Sequence, residues 1–416
     1  MCLRRWIAFI GLLVGLLFSR TSAAVTLALI IPSGATSEAS RLYHDLLQEF
    51  KKAEPNIHVE FTPLIRWDDV VDVVRQLQVQ RKAVVFVAEV SETLELEELG
   101  LIEPFENVLN KFGGADSFVA SITPEFLGNS YCKTRKLCGP PFIRSMPVAF
   151  YNLDRLKEVG VTEDQLPTTW DELEAMLVKL QARYRQAPFC FGGDWYDYLF
   201  EATVLQSGGA LMDFEQNKIV LNSAKAIEAL SFWKRLKDKG LLIRMNNWKS
   251  TVNAFAAGYC MVAYYSSGGM ETVRSRAKFS WAVDMLPRNK QYGVAMGGGN
   301  LYFSAGMNAE EQRAALQLAK FLYKPSVQAR ISAATGFFPV VSAAIAEPEF
   351  KRYFNNTSFS RVQRQLKYAK PKTMAASNLK MRAILKSAID KSLNEGVAPE
   401  IALRQAQQEI RQLANY

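Results

Sequence analysis

The sequence predicts an α/β fold built as two lobes, each a discontinuous α/β domain, with a ligand cleft between them. Three observations carry this. Apolar runs of strand length alternate with amphipathic helical stretches from residue 25 onward. An extended, proline-containing stretch at residues 142–151 then leads into a second series of the same kind. Finally, 416 residues with a 49% hydrophobic fraction can bury two cores. The expected division is residues 25–145 plus 280–326 for an N-terminal lobe and 146–279 plus 327–416 for a C-terminal lobe.

Residues 1–24 read as a cleaved export signal. Arg4 and Arg5 precede an apolar run at 6–18, and Thr21, Ser22, Ala23 and Ala24 supply a small-residue cleavage site. The run is too short to span a bilayer comfortably, and no cysteine follows it, so a free protein without a lipid anchor is expected. Removing the segment takes away three arginines and no acids, and the net charge falls from +9 to +6. That excess contains no Lys/Arg run able to track a phosphate backbone, so nucleic acid is not an expected partner.

The elements follow in order. Residues 25–31 form a buried strand, and Ala39, Leu42, Tyr43, Leu46, Leu47 and Phe50 form the stripe of a helix. Residues 59–61 alternate as a second strand, with His58 just before it. Val70, Val73, Val74 and Leu77 mark another helix, and 83–87 is a continuous buried strand. Repeated β-α-β units argue for a largely parallel sheet, in which ligands bind beyond the carboxyl ends of strands. Thr169 and Glu172 have capping-box spacing ahead of Leu173, Met176, Leu177 and Leu180, which share one helix face. Residues 279–285 read as a strand returning to the first lobe. A helix follows at 314–322, and the last helix carries Leu403, Ala406, Ile410 and Leu413 on one face.

Four cysteines remain after cleavage, which suits an oxidising compartment. Cys132 and Cys138 bracket a short turn suited to a local bridge, which would leave Cys190 with Cys260. A metal centre is not expected, because the chain has two histidines, His44 and His58, and no C-x2-C pair. A nucleophile elbow, an H-E-x-x-H helix and a P-loop are likewise missing from the sequence. Binding without chemistry, and no cofactor, is the expectation.

Cleft candidates come from residue chemistry. Trp67 could stack on a ligand, although a lone aromatic serves packing equally well. Glu89 ends a buried strand, where a carboxylate accepts from hydroxyls or simply caps a helix. Residues 264–269 (YYSSGG) pair aromatics and hydroxyls with backbone amides ahead of a helix, a cradle for an anion or polyol that is also an ordinary turn. Residues 296–300 (MGGGN) mark a place where backbone approaches either a ligand or another strand. Residues 335–339 (TGFFP) form an aromatic turn, and Arg382 reads by itself as part of a solvated helix face.

The segments 150–161 (FYNLDRLKEVGV) and 167–173 (PTTWDEL) together resemble the extracellular solute-binding proteins of ABC importers. Residues 87–90 (VAEV), 141–152 (PFIRSMPVAFYN), 260–268 (CMVAYYSSG) and 334–339 (ATGFFP) resemble the glycerol-3-phosphate-binding branch over nearly the whole mature length. The resemblance implies the two-lobed periplasmic-binding-protein fold and a receptor rather than an enzyme. It also implies a periplasmic location, a monomer, and delivery of a phosphorylated polyol or sugar to an inner-membrane ABC permease.

Residue by residue, the resemblance places cleft contacts on Trp67, Glu89 and Ser145, with Trp195 lining the second lobe. Ser266, the Gly298 backbone and Arg382 form the phosphate-binding core, and Phe337 completes the site. It places Cys190 and Cys260 on family cysteines and says nothing of Cys132 and Cys138. Trp67 and Phe337 stand where the family presents tyrosine, so two hydroxyl donors are lost and the glycerol end is altered. A glycerophosphate moiety is the expected ligand, free or as a phosphodiester such as glycerophosphocholine. A sugar or oligosaccharide is the alternative, and an exported phosphodiester hydrolase lacks the histidines and metal motifs it would need.

Overall fold

Two separate β-sheets, one of six strands and one of five, organise the chain, and the polypeptide passes between them more than once. The structure is a computed structural model describing residues 24–32, 37–64, 66–213, 218–355, 357–375 and 377–413. The expected signal segment lies outside the described residues except for Ala24.

In the first sheet, Val25–Pro32 is flanked by Ile57–Leu64 and Val84–Glu89, both parallel to it. Every residue of Val84–Glu89 is buried, which is why its sequence runs Val-Val-Phe-Val-Ala without a polar alternation. The helices Ser37–Ala53 and Val70–Val79 connect these strands, with Tyr43, Leu46, Phe50, Val70 and Val74 turned into the cores. His58 lies within the second strand rather than before it.

The remaining strands change the expected picture. Gly297–Ser304 pairs antiparallel with Val84–Glu89, with Ile102–Glu103 and with Pro141–Ser145, so the sheet is mixed rather than largely parallel. It is also the strand that returns to the first sheet. The stretch at 279–285 does not return: its strand, Trp281–Asp284, pairs antiparallel with Pro147–Asn152 in the second sheet. That sheet has the order Leu242–Met245, Phe189–Gly192, Val262–Ser266, Pro147–Asn152, Trp281–Asp284.

Only Met146 separates the strand ending at Ser145 from the one beginning at Pro147. Met146 is buried, and both of its main-chain groups bond to Ser267. Its amide donates to Ser267 Oγ at 3.2 Å, and its carbonyl accepts from the Ser267 amide at 2.8 Å.

Local signals behave as their chemistry dictates. The Thr169/Glu172 capping box forms, with the Glu172 amide on Thr169 Oγ1 at 3.2 Å and the Thr169 amide on Glu172 Oε2 at 3.2 Å. Such a cap stabilises a helix by about 1 kcal/mol. Leu173, Met176, Leu177 and Leu180 are all buried on that helix. The last helix, Pro399–Leu413, buries Leu403, Ala406 and Ile410, and the Leu413 side chain lies outside the described residues. Disulfides join Cys132 to Cys138 and Cys190 to Cys260, with Cα atoms 5.6 and 6.0 Å apart.

A buried guanidinium ties the first sheet together at the crossing. Arg144 donates to the Phe126 carbonyl at 2.8 Å, the Gly299 carbonyl at 2.9 Å, the Ile143 carbonyl at 3.0 Å and Asn300 Oδ1 at 2.6 Å. Burial pushes its pKa down to about 10, so it stays charged at neutral pH with carbonyl dipoles in place of a carboxylate.

Gly298 sits beside it with φ +107°, where a Cβ would meet the Ile143 carbonyl at 2.2 Å, so another strand is the close neighbour that needs a glycine. Gly306, also at positive φ (+86°), has open space around it. Gly306→Ala is expected to cost about 1–2 kcal/mol from backbone strain alone. Gly298→Ala adds roughly 1–3 kcal/mol of overlap to that strain. Chemical denaturation of the two variants measures the difference, and equal losses would refute the close-approach explanation.

Candidate functional site

A cleft of about 520 Å³ opens between the two sheets. Pro32, Trp67 and Asp68 line it from the ends of first-sheet strands and the turn that follows, as open α/β sheets place their ligand contacts. Trp195, Trp248, Tyr265 and Ser266 line it from the second sheet, and Phe337 comes from the turn after the Pro325–Thr335 helix. The rim carries Arg66, Lys249 and Arg276 together with Asn246, Asn247 and Asn253.

The second-sheet wall is continuous aromatic surface. Trp248 stacks on Tyr265 with ring centroids 4.0 Å apart and 21° between planes, and Trp195 lies 5.4 Å from Trp248. Asn247 caps the helix that begins at Trp248, accepting from the Ser250 amide at 2.8 Å, and this fixes where the indole projects. Two carboxylates stand in the same cleft. Asp68 pairs with Arg382 at 3.4 Å. Asp194 has its Oδ1 shielded from solvent with no hydrogen-bond partner among the described residues, and burial raises its pKa.

Beneath the aromatics lies a buried ionic floor. Asp197 Oδ2 stands 2.8 Å from Lys372 Nζ and 3.3 Å from Arg382 Nε, and Lys372 also reaches Glu89 at 3.3 Å. Desolvation alone would raise the Asp197 pKa, but the charges of Arg382 and Lys372 outweigh it and hold the carboxyl down to about 2. Desolvation works against Lys372 and Arg382 as well, yet their acidic neighbours raise both above their ordinary values. The Arg382 guanidinium lies 5.5 Å from the Trp195 ring centroid, and its Nε–H has no aligned acceptor despite the nearby Asp197 oxygen.

Of the eight residues singled out from sequence, Trp67, Trp195, Ser266 and Phe337 line this cleft. Glu89, Ser145, Gly298 and Arg382 lie behind it. Glu89 is wholly buried and accepts from the Ser91 amide at 2.9 Å and from the Ser91 hydroxyl. Ser145 Oγ lies 3.2 Å from the Tyr198 hydroxyl. Arg382 is not on a solvated face; it is buried because Asp197, Asp68 and Trp195 enclose it. The Trp67 ring covers the glycine strand so closely that a Cβ on Gly299 would fall 2.8 Å from it.

Sequence reasoning missed Lys372, Asp197, Asp194 and Trp248. The pair Trp195 and Asp197, flanking Tyr196 at a helix start, was the one available signal for Asp197. Lys372 sits in an irregular stretch with no periodicity to read. Of the carboxyl and cysteine groups close enough to share a metal ion, the described residues contain one set, Glu97 with Cys132 and Cys138, and its two sulfurs are joined in a disulfide.

Residues 45–357 match the model of a family described as bacterial extracellular solute-binding protein. The sn-glycerol-3-phosphate-binding periplasmic protein UgpB of Yersinia pseudotuberculosis is 26% identical over 224 residues, which is 51% of each chain. The match therefore spans about half the length of that relative. UgpB from Mycobacterium tuberculosis, solved in complex with glycerophosphocholine, superposes with a TM-score of 0.83 at 19% identity, covering 93% of this chain and 98% of its own. The GacH receptor of Streptomyces glaucescens, solved unliganded and in complex with acarbose, gives 0.81 at 17% identity, covering 94% and 98%. These structural likenesses are likenesses of fold.

Two further acids under the cleft set a pH dependence. Desolvation raises Glu92 to about 8 and Glu201 to about 7, from a usual value of 4.5. Both hold protons in the fold that the unfolded chain releases, so their stabilisation is complete below pH 4.5 and erodes as pH climbs towards those folded values. Melting temperature measured from pH 5 to pH 9 is expected to fall less steeply in Glu92→Gln than in the parent protein. Identical slopes would rule out a raised Glu92.

Proposed function

The chain belongs to the bacterial extracellular solute-binding protein family, and from that premise we propose that it is an exported receptor that captures a glycerophosphate-type solute and delivers it to an ABC permease. The family is one of substrate-binding receptors rather than enzymes. In this reading the mature protein works as a periplasmic monomer whose two sheet-centred units close on the solute.

The observation that carries the reading is a buried arginine with an unspent donor directly behind an aromatic cleft. Arg382 supplies a charge-assisted contact to the phosphate. The Ser266 hydroxyl, which accepts from the Gly268 amide at 3.1 Å, keeps its own proton to donate at the start of the turn. Trp67, Trp195 and Phe337 cover the apolar faces of the solute, while Glu89, Ser145 and the Gly298 backbone hold the floor beneath it. The names of the curated relatives and the glycerophosphocholine complex of the mycobacterial relative point the same way.

A second reading, a sugar or oligosaccharide receptor, is favoured by the wall of Trp195, Trp248 and Tyr265 beside Asp68, Asp194 and three asparagines. Aromatic faces with carboxylates and amides suit pyranose rings, and a cleft of about 520 Å³ exceeds what a lone glycerol phosphate fills.

A thermal-shift panel followed by calorimetry separates the two readings. Glycerol 3-phosphate or glycerophosphocholine is expected to raise the melting temperature, while maltose-type sugars leave it unchanged. Arg382→Ala, checked for folding by circular dichroism, is expected to weaken ester binding roughly 10–100-fold. Stabilisation by sugars and not by esters would replace the first reading with the second.

A further inference from the structure

Building on the glycerophosphate reading, we infer that capture of the anion is linked to a proton on Glu92: the solute binds while this buried carboxyl is neutral, and its ionisation loosens the solute. Glu92 acts through Arg382.

Its placement is the first ground for this. Glu92 ends the short turn Val90–Glu92 that follows the Val84–Glu89 strand, and it is wholly buried. Both carboxyl oxygens are shielded from solvent and have no hydrogen-bond partner among the described residues. The turn is pinned to the helix Asn378–Asn394, because Asn378 Nδ2 donates to Ser91 Oγ at 2.8 Å, and Arg382 lies one turn further along that helix. A carboxylate without partners is far costlier in such a place than a carboxylic acid.

The groups facing Glu92 settle which form it takes at neutral pH. Burial is the largest influence; Glu89 from the preceding strand, Asp68 from the Trp67–Asp69 turn and Glu95 from the following helix add to it, while Arg382 opposes it. Together they push the carboxyl up to about 8. Tyr302 faces it from the Gly297–Ser304 strand, and burial raises that phenol, so it brings no charge of its own.

Arg382 is the link to the solute. It is already matched by Asp197 at 3.3 Å and Asp68 at 3.4 Å, and Glu92 is a further acid acting on it. While Glu92 is neutral, the two cations of the floor, Lys372 and Arg382, stand against two buried carboxylates, Asp197 and Glu89. Ionised Glu92 turns that floor negative, and a phosphate then meets an unpaired buried charge. Arg66, Lys249 and Arg276 add positive charge at the rim, but all three are exposed and screened by salt, so they attract anions without offsetting a charge buried behind Arg382. Glu201, raised to about 7, also changes charge near neutral pH, and it faces Lys372 and Asp197 instead.

The test is isothermal titration of the mature protein with glycerol 3-phosphate and glycerophosphocholine at pH 7.5 and pH 9, a range in which neither ester changes charge. Binding is expected to weaken about fivefold across it. At pH 8 the complex is expected to take up a fraction of a proton, read from binding enthalpies in buffers of different ionisation enthalpy. Glu92→Gln, which mimics the neutral acid, is expected to hold its affinity to pH 9 and take up no proton, whereas Glu201→Gln keeps both the loss and the uptake. The uptake in the parent and in Glu201→Gln decides the matter even if Glu92→Gln does not fold. Constant affinity without uptake in the parent, or the same loss in Glu92→Gln, overturns this inference and leaves the receptor reading standing. Failure of both esters to bind at pH 7.5 overturns the two together.

Discussion

Asp197 holds two cations at once, and the floor of the cleft depends on that one carboxylate. Lys372 and Arg382 arrive from the C-terminal part of the chain and Glu89 from a strand near its beginning, with a sequence separation of 283 between Glu89 and Lys372. Removing water from four charges costs several kcal/mol per ion unless each finds its partner, so the cluster is weak as a source of stability. It is strong as a constraint on position. A displacement of any one member leaves an uncompensated charge in the interior, which fixes the indole of Trp195 above the two cations.

The same constraint explains why the second sheet wears its aromatic layer on the cleft side. Trp195 immediately precedes the helix carrying Asp197 and Tyr198, so the turn that delivers the carboxylate to the floor also delivers the indole to the wall. Glu201, further along that helix, accepts from the Thr373 amide at 2.8 Å and from the Thr373 hydroxyl at 2.6 Å. It thereby docks the segment that carries Lys372. One helix thus positions wall, floor and the irregular strap that crosses between them.

Local features of this fold were readable in the sequence because local physics decides them. The apolar stripe of Tyr43, Leu46 and Phe50, the Thr169/Glu172 cap and the continuous run at Val84–Glu89 are each set by residues within a few positions of one another. Sheet membership is not local. The alternation around Trp281–Asp284 announces a strand but cannot say that its partner is Pro147–Asn152. Arg382 looked like one charge on a basic helix, because the carboxylates that bury it come from Asp68 and Asp197, far away in the chain. Trp67 and the Ser266 turn offered a local cue, an aromatic and a hydroxyl at strand and helix ends, whereas Trp195 and Phe337 were placed in the cleft by the family resemblance alone. Lys372 offered no such cue.

The step at Met146 has a mechanical meaning. Its amide and its carbonyl are both bonded to Ser267, the neighbour of the cleft residue Ser266. The torsions at this crossing are therefore gripped by a turn that lines the cleft. Cleft wall and crossing are joined through the Ser266–Ser267 peptide, with no lever of intervening structure between them.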